Sequence, residues 1–178
     1  RERFGMILVP LASFFLYEGR WMIGWASAPY NPVWAARHPR KSFLMSLAGP
    51  LSHLPAVAVS FAVMYIGLRN GFFAMPESYG DLFPVTMGDG GTASYALAYF
   101  LNIVFKMNII LLLFNIIPFP PLDGAGIWDL FIQKEESRLR WHYTAASYSL
   151  AGLALAWYVF PRIYAPIYSF LIRILYLG

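Results

Sequence analysis

Between Ser42 and Leu68 the chain runs for 27 residues without an Asp, Glu, Lys or Arg. A helix needs only about 20 apolar residues to cross the hydrocarbon core of a bilayer. The run is therefore a membrane span, and it limits the rest of the chain to partners that tolerate lipid. Pro50 and Pro55 fall inside it. Each removes a backbone donor, a loss accommodated in lipid where neighbouring helices or water satisfy the freed carbonyls, so this span belongs inside a bundle.

Composition extends the conclusion to the whole chain. Of 178 residues 59% are hydrophobic and only 12% charged, whereas soluble domains carry about a quarter charged residues. A second apolar stretch runs from Ala93 to Pro118 with one charge, Lys106, and the amides Asn102 and Asn108. Trp141 to Phe160 reads as a third span, followed by an apolar tail from Ile163 to Leu177 that Pro166 and Arg173 interrupt. Phe4 to Tyr17, with Pro10 inside, is too short for a regular crossing and suits a re-entrant or interfacial segment. The fold class is an all-α integral membrane protein, a polytopic helical bundle with proline-broken spans. No low-complexity linker divides residues 1–178, which read as a single membrane-embedded domain.

The net charge of +4 does not point to nucleic acid, because the basic residues lie scattered at the ends of apolar stretches rather than in one patch. They point to topology and to membrane lipids. Arg20, Arg37, Arg40 and Lys41 precede the first span, and Lys134, Arg138 and Arg140 follow the second. Loops 18–41 and 124–140 are therefore expected on the cytoplasmic side. Loop 69–92, with Arg69 against Glu77, Asp81 and Asp89, is expected on the extracytoplasmic side. Trp21, Trp25, Tyr30 and Trp34 have the character of an aromatic belt at a headgroup boundary.

The chain has no cysteine, so any metal has to use His, Asp or Glu. The stretch from Asn115 to Gly124 ends an apolar span with Pro118, Pro120 and Pro121 and then presents Asp123. Two uses of that carboxylate are open on mechanics alone. It caps a helix over Ala125 to Ile132, or it turns back into the bundle as a hard oxygen ligand. His53 lies mid-span, where an ionisable residue is a functional candidate, but a neutral His hydrogen-bonded to another helix takes precedence. Asn108 and Asn115 are seven apart and share a helix face suited to interhelical hydrogen bonding. Lys106 extends toward a boundary, pairs with an acid or lines a polar cavity. His38 and His142 stand beside basic loop residues and read as interfacial.

The pattern Asn115-x-x-Pro118-x-Pro120-Pro121-Leu122-Asp123-Gly124 resembles the second signature of the site-2 protease family, intramembrane zinc metalloproteases. Upstream, Phe4-Gly5-Met6-Ile7-Leu8-Val9-Pro10, Gly24-Trp25-Ala26, Asn31-Pro32, Pro39-Arg40-Lys41 and Ala48-Gly49-Pro50-Leu51-Ser52 are similar, in order, to segments of the same family's core. The resemblance covers about residues 4–130, with the C-terminal spans at about 141–178 beyond it, and implies a site-2 protease-like bundle. It makes Asp123 the third zinc ligand and places Asn115, Pro118 and Pro120 along the groove where a substrate helix unwinds. It implies a transmembrane substrate protein as partner.

In that family the other ligands are the two His of a His-Glu-x-x-His helix, with Glu as general base. The spacing has a reason: positions i and i+4 share one helix face, and three protein ligands leave a fourth position for water. The 178 residues contain no such helix, and their histidines are His38, His53 and His142. The resemblance places the missing helix ahead of the Phe4-Gly5 segment. Either the native protein carries it before Arg1, binds zinc and cleaves, or it lacks the helix. In the second case the chain is a non-catalytic accessory subunit among neighbouring membrane proteins. A transport role fits less well, because the halves show no paired repeat.

Overall fold

The structure, a computed structural model, describes residues 7–16, 18, 31–76, 84–89 and 91–177. The aromatic belt residues Trp21, Trp25 and Tyr30, and the acids Glu77 and Asp81, lie outside these residues. The chain forms two compact units, Arg1–Asn31 and Pro32–Gly178. In the first, helix α1 covers Val9–Leu16, and Ser13 Oγ donates to the Pro10 carbonyl at 3.0 Å. Eight residues rise about 12 Å, well short of a bilayer core.

Among its described residues the second unit has three helices long and apolar enough to cross a membrane. The first is made of α3 (Pro39–Leu51) and α4 (Leu54–Arg69), which join at Ser52 and His53 with both residues still in the right-handed helical region. Pro55 has no N–H to give to Leu51, and the join tightens instead, with the Ser52 amide bonding the Ala48 and Gly49 carbonyls and His53 that of Pro50. The prolines thus change the hydrogen bonding of the run without ending it, and Pro39–Arg69 acts as one span of 31 residues. The second is α5, Gly91–Asn115.

The third span differs from the sequence expectation. Trp141 to Thr144 belongs to a separate charged helix, α7 (Glu135–Thr144), and the span is a single helix, α8, over Ser149–Tyr176. Pro161 and Pro166 lie within it without dividing it. The expected tail and the end of the expected span are one element. Arg162 does not stop it, because its guanidinium folds back along the helix, donating to the Tyr158 carbonyl at 2.8 Å and lying 4.2 Å from the Tyr158 ring.

The two loops expected on one side of the membrane meet. Helix α2 (Pro32–Arg37) packs on α7, and the Arg138 guanidinium donates to the carbonyls of Ala36, Ile132 and Gln133 at 2.7, 2.7 and 2.8 Å. An exposed Arg37–Glu135 pair at 3.2 Å lies beside it.

At the opposite end, the connection between the first two spans carries a short antiparallel ladder, β1 (Phe73–Ala74) with β2 (Thr86–Met87), in register Phe73 to Met87. It is tied to the helices by polar groups that would otherwise be stranded. Buried Asn102 on α5 accepts from the Val85 amide and donates to the Val85 carbonyl, at 3.2 and 2.7 Å, acting as a neighbouring strand would. The Tyr176 hydroxyl at the end of α8 donates to the Pro84 carbonyl at 2.7 Å. Beneath the ladder lies the main apolar core, with Met64, Phe73, Val85, Phe105, Ile109 and Leu175 among its members.

Candidate functional site

The site begins where α5 stops. Pro118, Pro120 and Pro121 offer no amide donors, so the helix cannot continue past Asn115. The chain turns instead through Phe119 N–H to Ile117 O and Leu122 N–H to Phe119 O, at 2.9 and 3.0 Å, with a cis Pro120–Pro121 bond. A 3-10 turn follows over Asp123–Ile127, then a one-turn helix, α6, over Trp128–Phe131.

Two glycines let this turn pack. A methyl at Gly124 would overlap the carbonyl of Ile116, so only glycine lets the turn fold against the end of α5. A methyl at Gly152 on α8 would overlap the Pro120 carbonyl, so α8 rests directly on the proline backbone. Trp128 Nε1 adds a hydrogen bond to the Pro118 carbonyl at 2.9 Å.

The turn delivers Asp123 to the Ala48-Gly49-Pro50 segment of α3. Its Oδ2 lies 2.7 Å from where a Cβ at position 49 would stand, so Gly49 leaves the room the carboxylate occupies. The two motif pieces, 74 positions apart, thus form one surface. The capping alternative is not what the structure contains. The residue before the turn is Leu122, in extended conformation, and no side chain caps it. Asp123 is exposed, and among the described residues none hydrogen-bonds to its carboxylate. The atoms packed round it still desolvate the charge enough to raise its pKa above the ordinary carboxylate value.

The other candidates distribute as follows. Pro118 and Pro120 line an apolar groove of about 260 Å³ with Phe119, Trp128, Ile132 and Trp141. Asn115 is the last residue of α5, and its side chain has no hydrogen bond among the described residues. His53 Nδ1 pairs with Asn108 Oδ1 at 2.8 Å, while the Asn108 amide donates to the Val104 carbonyl on its own helix. His53 is thus the hydrogen-bonded interhelical histidine expected. Lys106 is half-buried without a partner among the described residues. His38 stacks on Trp34 and bonds its carbonyl at 3.0 Å.

His142 is not simply interfacial. Its Nε2 lies 2.9 Å from Oδ1 of Asp129, whose side chain is fully buried, a separation close enough for an ion pair but misaligned for a hydrogen bond. Sequence reasoning missed Asp129 and Gly152. The signals were a lone acid in the apolar Trp128-Asp129-Leu130-Phe131 segment and a small residue in a span, where close backbone approach is common.

A zinc site needs three protein ligands. Among the described residues no three His, Cys, Asp or Glu side chains come together, and His53 and His142 are engaged elsewhere. The unpaired, desolvated Asp123 fits the role of one oxygen ligand, and these residues do not complete the set.

Three candidate spans among the described residues, the second ended by prolines that deliver a carboxylate to the first, define a polytopic helical membrane protein. The model for Peptidase family M50 matches residues 2–159, and the chain belongs to that family, the site-2 proteases. It is 30% identical over 127 residues to the Bacillus subtilis (strain 168) protein named "Putative zinc metalloprotease YwhC". The match covers 71% of this chain and 47% of YwhC, so the chain spans about half the length of that relative. No solved structure matches the chain.

Proposed function

We propose that this chain forms the membrane core of a zinc-dependent intramembrane endopeptidase, contributing Asp123 as one ligand of a centre completed by a His-Glu-x-x-His segment outside these 178 residues. The observation that carries the reading is the Asp123 carboxylate, exposed beside Gly49 in the turn after α5 and without a hydrogen bond or ion pair among the described residues. A capping or ion-pairing acid would be satisfied by its neighbours. An acid left open and partly desolvated is suited to a cation.

In this reading Asn115, Pro118 and Pro120 border the path of the substrate. A transmembrane protein unwound at that point would meet the Asn115 amide, which has no hydrogen bond among the described residues, and the apolar groove that Pro118 and Pro120 line. The test uses the native full-length protein, with zinc measured by mass spectrometry and cleavage of a transmembrane reporter. Asp123→Asn is expected to lose the bound zinc and cleavage, whereas Asn115→Leu is expected to slow cleavage and keep the zinc. Unchanged zinc and cleavage in Asp123→Asn would overturn the assignment.

A second reading is a non-catalytic subunit within a membrane complex, the case in which the native protein carries no His-Glu-x-x-His segment. It predicts native protein free of zinc and of cleavage, and stable association with neighbouring membrane subunits. In both readings loops 18–41 and 124–140 face the cytoplasm and loop 69–92 the other side, as the distribution of Arg and Lys directs. Labelling of single cysteines placed at Gln133 and Met75 from each side of sealed vesicles tests it, since labelling of both from one side contradicts it.

A further inference from the structure

At the end of the bundle away from the Asp123 turn, α4 and α8 leave a groove of about 350 Å³ lined by Phe61, Tyr65, Ile174 and Leu177. The Phe61 and Tyr65 rings stack at 6.4 Å and 14°, so one wall is a flat aromatic strip. Arg69, the last residue of α4, holds its guanidinium 4.8 Å from the centre of the Tyr65 ring. A cation therefore stands at the mouth of an apolar groove, at the level where a span ends. Arg173 lies beside Ile174 on the facing helix and is also exposed.

Neither arginine has a carboxylate partner among the described residues. Asp89, the acid described at this end, approaches Gly71 instead. An exposed guanidinium at a membrane boundary without a counter-ion attracts the phosphate of a lipid. A single acyl chain is slender enough to lie along the groove beneath.

We propose that this groove binds one anionic phospholipid, its phosphate held by Arg69 with Arg173 alongside, and one acyl chain laid along Phe61, Tyr65, Ile174 and Leu177. The site lies at the far end of the bundle from Asp123 and does not depend on whether the protein cleaves.

The test is competition in nanodiscs of equal phosphatidylglycerol and phosphatidylcholine, using the native full-length protein. Native mass spectrometry then counts the lipid that stays bound after release. A charge near the surface is worth about fivefold in lipid preference, so phosphatidylglycerol is expected to be retained about fivefold or more over phosphatidylcholine. Arg69→Gln is expected to abolish the preference, Arg69→Lys to retain most of it, and Ile174→Trp to expel the retained lipid by filling the groove. Circular dichroism confirms that each variant keeps its helices. Equal retention of the two lipids by the unaltered protein overturns the proposal, as does a preference that survives both Arg69→Gln and Ile174→Trp.

Discussion

Gly152→Ala places a methyl group inside the Pro120 carbonyl oxygen, a backbone atom that cannot rotate away. The methyl meets that oxygen well inside ordinary contact distance, so α8 and the proline turn must separate. Overpacking of this kind costs about 1–3 kcal/mol of stability. The larger effect concerns position. Asp123 is three residues beyond Pro120 on the same rigid turn, and it moves with it. Metal ligands are held to within about 0.2 Å, and a displacement near 1 Å costs about 100-fold in activity. The expected outcome is a lowered melting temperature and, with Asp123 in its proposed role as a zinc ligand, zinc affinity or cleavage reduced about 100-fold. Titrating zinc into the native protein against a chelator measures the first quantity, and a transmembrane reporter the second. Ala151→Ser, at the exposed neighbouring position, is the control and should change neither. A Gly152→Ala protein with unaltered melting and zinc binding would refute the packing argument.

Three further outcomes follow from contacts described above. Asn102→Leu strands the amide and carbonyl of Val85, at about 1–3 kcal/mol for each unsatisfied group, and should speed hydrogen exchange at Val85. Arg138→Lys cannot reproduce three bonds to the Ala36, Ile132 and Gln133 carbonyls. It should cost about 2–3 kcal/mol and expose the 132–135 connection to protease, because a lysine has no planar fork. Asp123 has a raised folded pKa, so in metal-free protein its destabilising effect is absent below the unfolded pKa and complete above the folded one. Thermal stability without metal should therefore fall as pH rises through that interval, and Asp123→Asn should flatten this component. A bound cation favours the ionised form, so on the proposed role of Asp123 as a zinc ligand, loading with zinc should reverse the trend.

Spans are legible in a sequence because lipid acts on each helix by length and hydropathy. Ser42–Leu68 and Ala93–Pro118 accordingly map onto Pro39–Arg69 and Gly91–Asn115. The third was misjudged because Pro166 and Arg173 read as interruptions, yet in α8 Pro161 and Pro166 both stay within the helix and Arg162 folds back on Tyr158. The Asn115–Gly124 motif was legible for a similar reason, as prolines end a helix by local chemistry. His53 was read correctly in kind, but its partner Asn108 was not assigned.

What the sequence determined by itself was therefore local: which stretches require lipid, where α5 ends, and that Asp123 follows the break. Tertiary structure decided what each of those residues touches. It set Asp123 against Gly49, closed α8 onto the Pro120 carbonyl through Gly152, paired Asn102 with Val85, and buried Asp129 beside His142. Each pairing joins residues 13 to 74 positions apart, and no periodicity carries it, because close approach depends on the shapes of two surfaces that meet only when the bundle forms.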